Sequence, residues 1–377
     1  MSKDTLYVGL DTDKKHIDVA LAEALPGGEV RYWGKIANEA SAVARLVKRL
    51  RAGGRPLEMC YEAGPCGYGL HRLLDGQPGV RCRVVAPSMT PRRPGDRVKT
   101  NRRDAIALAR LLRAGELTAV WVPDATHEAM RDLVRARGAG VADLVRCRQR
   151  IAGFLLRQDI RYVGKPWTKK HRVWLGQLVP ARALPAHRLM LGEALQALDE
   201  ATARRARLTD HIAELVPDWS LAWLVDALQA LRGFALINAA TLAVEIGDPR
   251  RFAKPSQLMA YLGLVPSEHS TGNSVRRGGL TKTGNGHTRK ALIEAAWTYS
   301  RPPRGPLDGA RYAPAVAAIA TKACHRLSLR YRRLTNTRGK RPVIAVAAIA
   351  RELSGFVWAI AHAAGPAAAT PERSTQR

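Results

Sequence analysis

The sequence predicts a mixed α/β domain at the N-terminal end and a helical remainder. Two patterns carry that prediction. Up to residue 88, short apolar or alternating runs rich in β-formers are separated by turn residues and helical stretches. From Thr126 onward, apolar residues recur at spacings of three, four and seven instead. A third observation bears on function: 61 Lys and Arg against 32 Asp and Glu leave a net charge of +29 on 377 residues.

The elements follow in order. LYVGLD (6–11) is a short apolar run typical of a buried strand, and HIDVALAE (16–23) and EVRYWGKI (29–36) alternate as half-buried strands do. DTDKK and PGG between them are turn material. EASAVARLVKRLRAGG has helical spacing through Val43, Leu46, Val47 and Leu50 and stops at a glycine pair. PLEMCYEAG (56–64) is a strand, GYGLHRLLDG a short helix, and RCRVVAPS (81–88) a strand. RVKTNRRDAIALARLL (97–112) is a basic loop feeding a helix. The order β-β-β-α-β-α-β-α over residues 1–125 is that of a ribonuclease-H-like domain, a mixed sheet flanked by helices. Residues 126–219 read as two long helices joined by a Trp/Pro/Lys-rich break, either a helical hairpin or a coiled coil. Residues 220–365 are mostly helical, with a pair of short helices around Gly233, a basic arm at 325–342 and an apolar last helix. The Ala/Pro/Thr-rich tail, 366–377, is expected to be disordered.

Composition narrows the function classes. A basic excess this large, spread along the chain, points to a polyanion, and nucleic acid is the first candidate. The five cysteines form no CxxC pair, which argues against a zinc site or a disulfide framework. The first residues lack the apolar core of a signal peptide, and no apolar run approaches the ~18 residues of a membrane span. The expectation is a cytoplasmic, reduced protein without a membrane partner.

Three acids of the first domain stand at informative places. Asp11 ends the first strand, Glu62 ends the fourth, and Asp104 sits in the first turn of the last helix. In a ribonuclease-H-like sheet these places converge at one edge. Clustered carboxylates repel one another unless a cation joins them. Oxygen-only ligands suit Mg²⁺, held by a few carboxylates with substrate phosphate completing its shell. Two such ions can serve a phosphodiester displacement. Each acid also has a plainer reading. Asp11 can open the DTDKK turn, Glu62 can be a strand end, and Asp104 can favour the dipole of a helix capped by Asn101.

GLDTDKKHIDVALAE, CYEAGPCGYGL and RVKTNRRDAIALARLL, followed at long distance by YLGLVPSEHSTG and GGLTKTGNGHTRKALIEAA, resemble the DEDD-type insertion-sequence transposases. The resemblance spans about residues 6–360. It implies a RuvC-like domain, a coiled-coil segment and a C-terminal transposase domain. It also implies recombination guided by a structured RNA, and a homo-oligomer in which acids of one subunit work with a hydroxyl of another. In that family four acids bind Mg²⁺. Asp11, Glu62 and Asp104 match three of them. The fourth falls at Asn101, because the usual K-T-D-x-x-D reads K-T-N-R-R-D here. Asparagine offers a neutral oxygen in place of a charge. Asp13 and Asp96 lie nearby at positions that do not match.

The resemblance further implies a serine nucleophile just before a glycine, which becomes joined to DNA. Counting places Thr271 at that position, with Ser270 one residue earlier. Ser270 has the less hindered hydroxyl, and threonine can also act as a nucleophile. An ordinary polar turn is the plainer reading of Ser-Thr-Gly-Asn. Around it, Arg276, Arg277, Lys282, His287 and Lys290 are interspersed with glycines that let backbone approach phosphate. Lys99, Arg102 and Arg103, beside Asn101 and Asp104, are read as further contacts to nucleic-acid phosphate. Arg326, Arg330, Arg332 and Arg333, with Tyr331 among them, suit backbone contact and base stacking.

The reading is a transposase that binds DNA and a guide RNA and uses Mg²⁺. Its rivals are a junction-resolvase-like nuclease without a covalent intermediate, a sugar-kinase or actin-like phosphotransferase, and an inactive nucleic-acid-binding relative.

Overall fold

The computed structural model describes residues 5–25, 27–52, 54–91, 100–179, 181, 184–271, 274–302 and 311–366. Lys99, Asp96 and the tail beyond Pro366 lie outside them. The chain divides into two compact units, 1–123 and 124–377.

The first unit is built on one five-stranded sheet. Its elements are β1 (Leu6–Thr12), β2 (His16–Glu23), β3 (Val30–Ala37), α1 (Ala40–Leu50), β4 (Leu57–Glu62), α2 (Gly69–Asp75), β5 (Val80–Val85) and α3 (Asn101–Ala114). The strand order is β3-β2-β1-β4-β5. The first three strands form an antiparallel meander, whereas β1, β4 and β5 run parallel. Period-two alternation gives the sheet two apolar faces. Leu6, Val8, Leu10, Ile17, Val19, Leu57, Met59 and Tyr61 pack with Val43, Leu46 and Val47 of α1 and Leu74 of α2. Tyr7, Ala20, Ala22, Cys60 and Val85 face Ala105, Leu108, Ala109 and Leu112 of α3. The second face is lined by small residues, so α3 lies close. At Gly9 a Cβ atom would stand 2.3 Å from the Ala105 carbonyl oxygen and 2.4 Å from the Ala109 nitrogen.

The second unit begins with α4 (Ala125–Arg157), α5 (Lys169–Leu178) and α6 (Pro185–Leu215). The helices α4 and α6 pack as an antiparallel hairpin. Leu144, Ile151, Phe154 and Leu155 of α4 meet Leu191, Leu195 and Leu198 of α6, with Leu175 of α5 between them. At the other end, Met130 and Val134 join Ile212 and Val216 in the main core of the unit. The break expected between the long helices contains α5, which follows a hydrogen-bonded cap at Thr168.

The main core gathers α7 (Ala222–Leu228), α8 (Leu236–Ile246), α9 (Pro255–Tyr261), α10 (Gly286–Ala296), α11 (Pro314–Arg332) and α12 (Pro342–Ala364). A two-stranded hairpin, β6 (Pro266–Glu268) with β7 (Arg277–Leu280), stands between α9 and α10. Two expectations need correction. The basic arm is no arm at its start, because residues up to Arg332 continue α11 and a short wide helical turn follows over Arg333–Thr337. And α12 is long and apolar enough to cross a membrane by length and composition, contrary to the sequence reading. Its Val346, Ile349, Ala350, Leu353, Val357 and Ile360 are buried in the unit's core, the place of a central core helix.

Candidate catalytic edge and nucleic-acid surface

Alternation along the strands decides where the acids point. On β1, Tyr7 and Gly9 face α3, so Asp11, two residues on, lies on the same face. On β4, Cys60 faces α3, its thiol 3.8 Å from the Leu108 carbonyl, and Glu62 follows with the same parity. The parallel register ends at Leu10 with Tyr61, so Asp11 and Glu62 occupy the next step side by side. Helix α3 runs back along β1: Arg113 near its end donates to the carbonyl of Glu23, the partner of Leu6 at the start of β1, while Gly9 packs on Ala105 and Ala109, and two strand residues advance about 6.6 Å while four helical residues retreat about 6 Å. Asp11 therefore comes abreast of the first turn of α3, which carries Asn101 and Asp104. All three acids are half-buried and within reach of solvent, and Asn101 is exposed. Glu62 accepts a hydrogen bond of 2.9 Å from the Thr90 hydroxyl.

The donor set is all oxygen, which fits a hard divalent cation. In this conformation the acids share the edge without closing on a point. Among the described residues, no three His, Cys, Asp or Glu form a metal-sized group. The cap of α3 is not Asn101 but Thr100, whose hydroxyl accepts from the Arg103 N–H at 3.3 Å. Thr100 has the extended backbone of a cap, and Asn101 is already helical, which leaves the Asn101 amide side chain outside the capping hydrogen bond.

The edge has a fourth acid that the motif reading missed. Asp18 of β2 lies directly across from Asp11 in the antiparallel register and is 3% exposed. The signal was present: in HIDVALAE, Asp18 has the parity of Ala20 and Ala22, the side that α3 covers.

The hydroxyls sit between β6 and β7. Ser270 donates a 2.9 Å hydrogen bond to Glu268 Oε1 and accepts one of 3.2 Å from the Arg276 N–H. Glu268 Oε2 faces Arg277 Nε at 3.3 Å. The Ser270 hydroxyl and then Arg277 hold the Glu268 carboxyl below its usual range. Thr271 is exposed, and its backbone bridges to Ser274.

The expected cationic residues divide into two kinds. Arg276, Lys282, His287, Arg332 and Arg333 are exposed. Others meet carboxylates: Arg277 pairs with Glu268, Lys290 lies 3.9 Å from Glu294, and Arg326 and Arg330 both pair with Glu352, tying α11 to α12. Arg102 is exposed and lies over the Tyr32 ring, 5.1 Å from its centroid. Arg103 is exposed at the start of α3. Two glycines at this place have a packing role. Gly263 and Gly284 have positive φ, and a Cβ there would meet Thr283 O at 2.2 Å and Tyr261 O at 2.1 Å. They seat the 281–286 loop on the end of α9. Arg289, absent from the sequence reading, holds the same loop through the carbonyls of Leu262, Thr283 and Gly284.

Comparison with known proteins adds the decisive observation. A profile of the DEDD transposase of IS110 type matches residues 8–158, and one of the transposase IS116/IS110/IS902 family matches residues 225–312. The transposase-named protein y4qE of Sinorhizobium fredii is 50% identical over 95% of this chain and 89% of its own length. The chain belongs to the IS110 family of insertion-sequence transposases. The transposase for insertion sequence element IS1533 of Leptospira borgpetersenii is 32% identical over 90% of this chain and 99% of its own. A probable family 20 transposase of Pseudomonas aeruginosa is 30% identical over 58% of this chain and 64% of its own.

The first match contains Asp11, Glu62 and Asp104, and the mixed sheet with α3 against it belongs to the transposase's RuvC-like domain. The second contains Ser270, Thr271 and the basic loop. In this transposase that loop is tied to α4 by a buried carboxylate. Glu245 of α8 accepts two hydrogen bonds from Arg135, at 2.8 and 2.9 Å, and one from the Asn285 amide. Asn285 also caps α10 by accepting from the His287 and Thr288 N–H groups. Burial alone would raise the Glu245 carboxyl, but Arg135 and then Asn285 outweigh it and hold it below the ordinary range.

Proposed function

We propose that this transposase cuts and rejoins DNA strands with Mg²⁺ held by Asp11, Glu62 and Asp104, aided by the neutral oxygen of Asn101. The observation that carries the reading is the common face of Asp11 and Glu62 at the first turn of α3. A bound ion would polarise the scissile phosphodiester and stabilise the departing oxygen. The chain itself supplies orientation: the sheet fixes two acids, and α3 brings the third. Ser270 is the nucleophile of this reading. Its Oγ attacks phosphorus, its proton passes to Glu268 Oε1, and the bond from phosphorus to one deoxyribose oxygen breaks, leaving a serine–DNA phosphodiester. The freed sugar hydroxyl takes its proton from solvent. Arg277 holds Glu268 for that transfer.

The reading extends to partners. A structured RNA from the element pairs with donor and target DNA, and the protein contacts backbone and shape through Arg276, Lys282, Arg332 and Arg333, a division of labour known in RNA-guided systems. The transposase works as a homo-oligomer in the cytoplasm, with the acids of one subunit serving the hydroxyl of another.

Labelled element-end DNA, incubated with the full chain and its RNA and run under denaturing conditions, tests the chemistry. The unaltered protein carries label through denaturation, Ser270→Ala does not, and Thr271→Val still does. Label retained by Ser270→Ala and lost with Thr271→Val moves the nucleophile to Thr271. Asp11→Ala loses strand cleavage while retaining RNA, and persistent cleavage would remove the metal assignment. RNA sequencing of the purified protein identifies the guide or shows none.

A further inference from the structure

Asp18 is a buried carboxylate for which the assignments above have no use. It sits in β2 among Ile17, Val19, Ala20, Leu21 and Ala22, all of them buried. Its Oδ1 accepts a 2.6 Å hydrogen bond from the Tyr32 hydroxyl. Its Oδ2 is buried and accepts no hydrogen bond among the described residues, with Lys35 Nζ at 3.7 Å. Lys35 is half exposed, so its charge is shared with water. A buried carboxylate with so few partners works against the fold. A valine at this position would serve the sheet better.

The setting explains why the charge is kept. Asp18 and Asp11 are direct cross-strand partners on the face covered by α3. Like charges so placed repel. A cation between or beside them attracts both and offsets the repulsion. From Asp18 a second line of contact runs outward: its partner Tyr32 carries the Arg102 guanidinium over its ring at 5.1 Å. Arg102 follows Asn101 and precedes Asp104 by two residues. Asp18 thus fixes the ring that lies under the Arg102 guanidinium.

Resting on the metal reading above, we infer that Asp18 is a positioning residue of the catalytic edge: its buried charge and its Tyr32–Arg102 contact set the cation affinity of the site formed by Asp11, Glu62 and Asp104. Asp18 acts through Tyr32 and through the field at Asp11. Groups that hold ligands from behind typically change metal affinity by about 10–100-fold when removed.

Binding of Mn²⁺ alone to the full-length protein, followed by the loss of the free-ion paramagnetic signal, reads this directly. Asp18→Asn keeps the shape and removes the charge, and should weaken Mn²⁺ binding by about tenfold or more. Tyr32→Phe keeps the ring under Arg102 and removes the hydrogen bond, and should weaken it by a smaller factor. Strand cleavage by both variants should recover at high Mg²⁺ concentration, which a folding defect would not allow. Asp11→Ala is the control for the metal reading: if it binds Mn²⁺ like the unaltered protein, that reading fails. If Asp11→Ala loses Mn²⁺ while Asp18→Asn and Tyr32→Phe both bind it normally, the inference about Asp18 is overturned. Should Asp18→Asn melt without a cooperative transition, Tyr32→Phe decides alone: normal binding overturns the inference, and weakened binding supports it.

Discussion

At the scale of single residues, charge placement separates the groups that hold the fold from those left exposed. Glu245 belongs to the first kind. Its side chain is 1% exposed and faces an Arg135 that is 45% exposed, so solvent screens part of the pair. Glu245→Gln should cost about 1.5–3 kcal/mol of stability, the range for hydrogen bonds to charged groups, with the lower half favoured by that screening. The sign with pH follows from the lowered carboxyl. A carboxyl that ionises more readily when folded stabilises above its ordinary value of 4.5, and that contribution disappears as pH falls through the folded value. Urea midpoints of the two proteins should differ most near neutrality and converge below about pH 4.5. Parallel curves down to acid pH would mean that Glu245 acts through packing alone.

At the scale of elements, the critical joint is α3 against β1. Gly9 is what permits it, since a single Cβ there collides with the α3 backbone at Ala105 and Ala109. Backbone cannot rotate out of the way as a long side chain can. Gly9→Ala should therefore destabilise by about 1–3 kcal/mol, the usual range for overpacking. It should also impair cleavage beyond its effect on folding, because the displaced helix carries Asp104. The measurements are a denaturant midpoint with unchanged slope and cleavage assayed well below that midpoint. Full activity at wild-type stability would show that α3 yields more easily than its packing suggests. The α4–α6 hairpin is a second joint of this kind, anchored at one end in the main core and closed at the other by its own apolar cluster.

At the scale of the whole molecule, +29 charges must be reconciled with a stable fold. Some cations are neutralised internally, as Arg326 and Arg330 are by Glu352, and many more are exposed. Nucleic-acid binding should then be dominated by release of counterions from phosphate. The logarithm of affinity for the bound RNA or DNA should fall linearly with the logarithm of salt concentration, with a slope on the order of −5 or steeper. A filter-binding series across potassium chloride concentrations measures it, and a shallow slope would shift the recognition toward bases and stacking.

Local pattern made much of this legible. Short apolar runs, two alternating segments and the turn residues between them define the five strands of the first sheet, and the shift to helical spacing marks α4 and α6. The parity of Asp11 and Glu62 is readable before any coordinates, and the paired motifs identify the family. The misses share a cause. Thr100 rather than Asn101 caps α3 because the backbone turns helical one residue earlier than composition suggests. The α5 helix hides in a stretch whose aromatic and basic residues have no simple period. The long apolar α12 contains Arg351 and Glu352, which interrupt the run in the sequence but lie at its surface or in ion pairs in the fold. What the sequence alone determined is the order of elements, the faces of the strands, the charge and the family, because these depend on neighbours a few residues apart. What only the tertiary structure decided is the company each charge keeps. The strand face of Asp18 was legible from parity, but its burial and its bond to Tyr32 were not, and Glu245 meets Arg135 and Asn285 across 110 and 40 residues of chain. Such contacts are set by how helices and strands pack, and a local period does not encode them.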